Sequence, residues 1–155
     1  MRLLIISLAI FATTNASATN GCMLEMNGRW VLDSEKSLDP EQLKYEVLVF
    51  NNTSTTQHYF MEFQNSPTDN GSLEWSAPCD GEDHPSPEFP WSKDPNSTVA
   101  ISRLGDKSEF VTQKESGILT TTYTRILADN LQTLISIGRD AQGKIIWVRV
   151  FNRED

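Results

Sequence analysis

The chain has 155 residues, enough for one domain with a buried core, and its excess of acidic side chains gives a formal net charge of −8. That balance argues against nucleic acid or an anionic membrane as partner, since both would be repelled. The only cysteines, Cys22 and Cys79, are too far apart for the short paired spacing of a zinc motif.

Residues 1–18 read as an export signal. Arg2 is the charged start, Leu3 to Ala12 the short apolar run, and Ala16-Ser17-Ala18 the small-x-small cleavage site. The run is shorter than the about 20 residues a spanning helix needs, and no later stretch is apolar enough to be transmembrane. A rival reading makes Cys22 the acylated residue of a lipoprotein, although Thr19-Asn20-Gly21 lacks the usual apolar residue three places before it. The exported part is then residues 19–155, a single secreted or periplasmic domain. In such an oxidising compartment the simplest use of the cysteines is a Cys22–Cys79 disulfide, contributing roughly 2–4 kcal/mol. Two free thiols are the alternative.

In chain order, Gly28-Arg29-Trp30-Val31-Leu32-Asp33 is the first strand, and Trp30 is placed to plug the floor of a barrel. Asp39-Pro40-Glu41-Gln42 suits one helical turn, with Asp39 as N-cap and Pro40 first in the turn. Residues 44–51 and 55–64 read as strands from their aromatic and branched content. The polar cluster Asn65 to Gly71 predicts a hairpin turn ending in the favoured Asn70-Gly71 pair, before a strand over 72–77. Residues 78–97 hold five of the seven prolines and read as a long loop rather than strand. Phe89 and Trp91 within it argue for packing onto the body.

From Thr98 onward strands are predicted at 98–104, 107–114, 117–128, 131–139 and 144–153, joined by short turn-forming links. The total is about nine. An all-β, antiparallel up-and-down barrel of about 8–10 strands without a long helix follows, because closure removes exposed edges. The first strand and the last, Ile145 to Phe151, are expected to meet. Alternation puts Trp147, Arg149, Phe151 and Arg153 on one face of that last strand. The line Ile118, Thr120, Thr122, Thr124, Ile126 is either a hydrated outer surface or a mildly polar lining.

Gly28-x-Trp30, the meander and a late Arg resemble the lipocalins and their calycin relatives. The match is closer to small exported bacterial lipocalin-like proteins. It runs through Gly28 to Ser37, Asp80-Gly81-Glu82-Asp83-His84-Pro85, Ser102-Arg103, Thr133-Leu134, Gly138 to Lys144, and Val148 to Arg153. The resemblance implies a floor closed by Gly28 and Trp30, with Arg149 or Arg153 packed across the indole ring.

No catalytic constellation is legible: there is no phosphate-binding glycine loop, nucleophile elbow or His-Glu-x-x-His. Neither His58 nor His84 sits in a ligand motif, so no metal or cofactor is assigned. The weaker idea of a loose cation site at His84 among Asp80, Glu82 and Asp83 competes with a merely solvated loop. Trp75, Phe89, Trp91 and Trp147 are the candidate ligand contacts, against the competing reading that they pack the core and anchor the loop. Three functions follow in order. The first is a barrel holding a small apolar or amphipathic ligand beneath a lid at 78–97. The second is an interaction module with a side-chain-filled barrel, and the third an enzyme using the pocket.

Overall fold

Branched and aromatic residues that recur at every second position favour half-buried strands. In a computed structural model, described over residues 21–38, 45–66, 69–86 and 94–154, they form ten antiparallel strands. These are β1 (Gly28–Leu32), β2 (Tyr45–Phe50), β3 (Thr56–Ser66), β4 (Asp69–Pro78), β5 (His84–Pro85), β6 (Thr98–Arg103), β7 (Ser108–Glu115), β8 (Ile118–Leu127), β9 (Thr133–Asp140) and β10 (Ile145–Glu154). The expected signal segment and the turn at 39–42 lie outside the described residues. The longest helical piece among those described is one 3-10 turn, Leu24–Met26.

The strands make one sheet in the order β4-β3-β2-β1-β10-β9-β8-β7-β6-β5, an up-and-down meander broken only where β1 meets β10. The sheet curls until its outer strands approach, giving a nearly closed barrel. Backbone bonds Gly81 N–H to Ile101 O (2.9 Å) and Ser86 N–H to Ser97 O (2.9 Å) help tie the segment after β4 to the β6 side.

Two local expectations are corrected. Asn70 and Gly71 do not turn the chain; they lie inside β4, opposite Gln64 and Phe63. Turn chemistry loses to packing here, because the Phe63 ring occupies the space where a side chain at Gly71 would stand, 2.9 Å from its Cβ position. The supposed loop 78–97 also contains a short strand, with His84 and Pro85 paired to Val99 and Thr98. Pro85 is tolerated because β5 is an edge strand.

Inward side chains form one core. Trp30, Phe50, Phe151, Ile101, Leu127 and Leu134 are all almost fully buried within it. The threonine line of β8 belongs to the outer surface: Ile118 and Ile126 at its ends are exposed, whereas Tyr123, Arg125 and Leu127 on the other face are buried. The segment after β1 stays on β10. Ser37 Oγ donates to Asp33 O (2.7 Å) and accepts from Val150 N–H (2.9 Å), and Leu38 exchanges backbone bonds with Val148. Asp33 accepts from Lys36 Nζ (2.7 Å) and Asn152 Nδ2 (3.1 Å), and these bonds lower its carboxyl pKa. The Asp33…Lys36-Ser37 part of the early signature therefore has a structural use: it bridges an interruption in the β1–β10 ladder.

Candidate functional site

One end of the barrel is sealed by the residues before β1. Met23 and Met26 are fully buried, and the turn is clamped by Asn52 Nδ2 on Met23 O (2.9 Å) and by Trp30 Nε1 on Met26 O (2.8 Å). Gly28 takes φ +130°, a conformation side chains disfavour, and this lets the chain bend from the turn into β1. Arg153 lies over the Trp30 ring at 4.5 Å and donates to Asn27 O (3.0 Å) and Glu25 O (2.5 Å). A Cys22–Cys79 disulfide, 57 residues apart in sequence, staples this floor to the end of β4.

The middle of the barrel is crossed by a buried polar tie. Arg125 Nη1, from β8, reaches Glu109 Oε1 of β7 at 2.6 Å and Gln57 Oε1 of β3 at 3.1 Å. Gln57 Nε2 in turn donates to Glu109 Oε2 at 3.0 Å, which closes the triangle. The Arg125 guanidinium also sits 5.0 Å from the Phe50 and Tyr59 ring centres and 4.8 Å from that of Tyr123. Burial opposes its charge, but the paired Glu109 carboxylate favours it, and the balance raises its pKa. Burial likewise pushes the Tyr59 and Tyr123 phenols above their ordinary value of 10. Both hydroxyls therefore stay neutral across the physiological range.

Toward the opposite end lies a second ion pair, Arg149 Nη1 to Glu46 Oε2 at 3.1 Å, with Arg149 4.9 Å from the Trp147 ring. Trp147 stands opposite Gly138, and a Cβ there would fall 2.2 Å from the indole. The missing side chain is what lets the ring lie flat on β9, 6.3 Å from Tyr123. The Nε1 atoms of Trp147 and Trp75 are buried without a hydrogen-bond partner among the described residues. Trp75 packs on Tyr59 at 5.4 Å. A cleft of about 630 Å³ lies on the outer side of β3 and β4, where the exposed Glu62, Asn70 and Ser72 line it together with Phe60, Phe63 and Gly71. Phe63 faces Glu46 in the β2–β3 ladder.

Of the four aromatic candidates, Trp75 and Trp147 are brought into one inner cluster, while Phe89 and Trp91 lie outside the described residues. The two arginines named for closure divide: Arg153 covers Trp30, and Arg149 points into the interior with Glu46. Glu46, Gln57, Glu109, Arg125, Tyr59 and Tyr123 were not singled out from sequence. One signal was present: once the β8 threonines are assigned outward, Arg125 falls on the inner face between Tyr123 and Leu127.

The acidic loop before β5 is internally satisfied. Asp80 accepts from Glu82 N–H (2.9 Å) and meets His84 Nε2 at 3.0 Å, contacts that lower its pKa, while Asp83 pairs with Lys114 at 2.6 Å. Among the described residues no group of three or more His, Cys, Asp or Glu is gathered closely enough to hold a metal ion. His58 Nδ1 lies 2.8 Å from the Ser76 hydroxyl. Compared with known proteins, the chain matches no family model and no curated sequence.

Proposed function

We propose that this chain is an exported, lipocalin-like barrel that binds a small amphipathic molecule at the end opposite the Trp30 floor. The observation that carries the reading is Trp147, a partly exposed indole held flat over Gly138 beside Tyr123 and Arg149. Such an aromatic surface with adjacent polar groups, inside a barrel sealed at its other end, has the make-up of a ligand site. Export is supported by the N-terminal pattern of residues 1–18 and by a disulfide, a bond favoured in oxidising compartments. A thermal-shift screen across fatty acids, sterols, tetrapyrroles and aromatic metabolites, with tryptophan fluorescence as second readout, tests the reading. Stabilisation by one class with a fluorescence change is expected; silence across all of them sinks it.

A second reading, an envelope interaction module with a filled barrel, draws on the Gln57–Glu109–Arg125 tie, which occupies the mid-section with protein side chains. It predicts that the screen is silent while the folded domain binds an envelope protein through the acidic, proline-rich stretch 78–97.

A further inference from the structure

A barrel that takes up a charged ligand must supply a counter-charge inside, because an unpaired ion buried away from water costs several kcal/mol. The inner charges here already neutralise one another. Arg125 and Glu109 meet at 2.6 Å with both side chains almost fully buried, and Arg149 and Glu46 meet at 3.1 Å. Arg125 is further enclosed by the rings of Phe50, Tyr59 and Tyr123. Neither cation is left over for a carboxylate, and neither carboxylate for an amine.

The hydrogen-bonding inventory is lopsided in another way. Trp75 is only 5% exposed, and its indole N–H, like that of Trp147, is a buried donor without an acceptor among the described residues. A buried donor left unmade is costly, so a group that satisfies it gains the advantage. An indole can only donate; it cannot serve a ligand that brings donors alone.

Resting on the ligand-binding reading above, we infer that the interior selects an uncharged amphiphile bearing a hydrogen-bond acceptor, such as an ester or ketone, over the matching carboxylate. The acceptor oxygen meets an indole N–H, and the apolar chain lies along the aromatic wall.

The test is calorimetric titration of the folded, disulfide-intact protein with saturated fatty acids of graded length and with their methyl esters at neutral pH, below micelle-forming concentrations. The ester should bind more tightly than the acid of equal length by on the order of tenfold. Trp147→Phe and Trp75→Phe, which remove the donors, should each lower ester affinity. Glu46→Gln removes the carboxylate that balances Arg149 and should shift preference toward the acid. An acid bound as tightly as its ester by the wild type overturns the inference while leaving the ligand-binding reading in place. So does an ester preference that survives Glu46→Gln unchanged. If neither series binds while the broad screen finds another ligand, the inference is overturned alone; if that screen is silent too, the ligand-binding reading fails with it. Should Glu46→Gln not fold, the wild-type comparison decides alone.

Discussion

The Arg153 guanidinium lies 4.5 Å above the Trp30 ring, and the two residues face each other in the β1–β10 ladder although 123 positions separate them. The contact joins the first strand to the last and sets the floor of the barrel. Trp30→Ala should therefore destabilise the domain by about 3–5 kcal/mol, the cost of deleting a large buried aromatic. Urea unfolding followed by circular dichroism measures it; a loss under about 1 kcal/mol would show that the ring is not a structural plug.

The buried tie makes an asymmetric prediction. Glu109→Ala leaves Arg125 without its carboxylate and should cost about 3–5 kcal/mol, whereas joint replacement of Glu109 and Arg125 by apolar residues of similar volume should cost much less. A double-mutant cycle in denaturant separates these outcomes. Equal losses for the single and double variants would show that a stranded buried charge is not what the single variant costs.

Reduction of Cys22–Cys79 reopens a loop of 57 residues' separation and should lower stability by about 4 kcal/mol on the chain-entropy account. Thermal unfolding with and without reductant reads the loss. Thiol titration of the untreated, denatured protein should find no free cysteine.

Two pH limits follow from the shifted groups. Asp33, Asp80, Asp94 and Asp129 are all lowered, through hydrogen bonds led respectively by Lys36, the Glu82 N–H, the Asn96 N–H and Lys107. A carboxyl with a depressed folded pKa stabilises above its ordinary value of 3.8, and that contribution disappears as pH falls through the folded value. The tyrosines act with the opposite sign. Tyr59 and Tyr123 stay protonated when folded, so above pH 10 the unfolded chain gains by ionising and stability drops. Tyrosinate absorption from Tyr59 and Tyr123 should rise only as the domain unfolds. Early titration of all tyrosines in the folded state would contradict their burial.

Gly138→Ala puts a methyl 2.2 Å from the Trp147 ring and should displace the indole, at about 1–3 kcal/mol for an overpacked contact. Near-ultraviolet circular dichroism and tryptophan emission report whether the ring has moved. An unchanged spectrum with unchanged stability would show that Trp147 is not seated on β9.

The second half of the fold was legible because period-two alternation and short polar links agree over β6 to β10. Gly71 misled for a physical reason: the residue that best makes a tight turn is also the one that leaves room for a facing phenylalanine. Arg149 and Arg153 share a face of one strand, so alternation cannot tell them apart; only the register that sets Arg153 against Trp30 does. The inner charges were hidden more deeply. Gln57 and Arg125 are 68 positions apart and meet only because the sheet curls, a property of closure that no local window contains.

The sheet order also determines when this molecule is able to exist. β1 sits between β2 and β10, and β10 between β1 and β9, so the tenth strand in chain order supplies the joint between the two halves of the meander. Until residues 145–154 have emerged, β1 and β9 each lack a neighbour, and the halves 28–78 and 84–140 share no ladder. Contacts of such long sequence separation close slowly. The two halves of the meander are thereby joined only once β10 is in place.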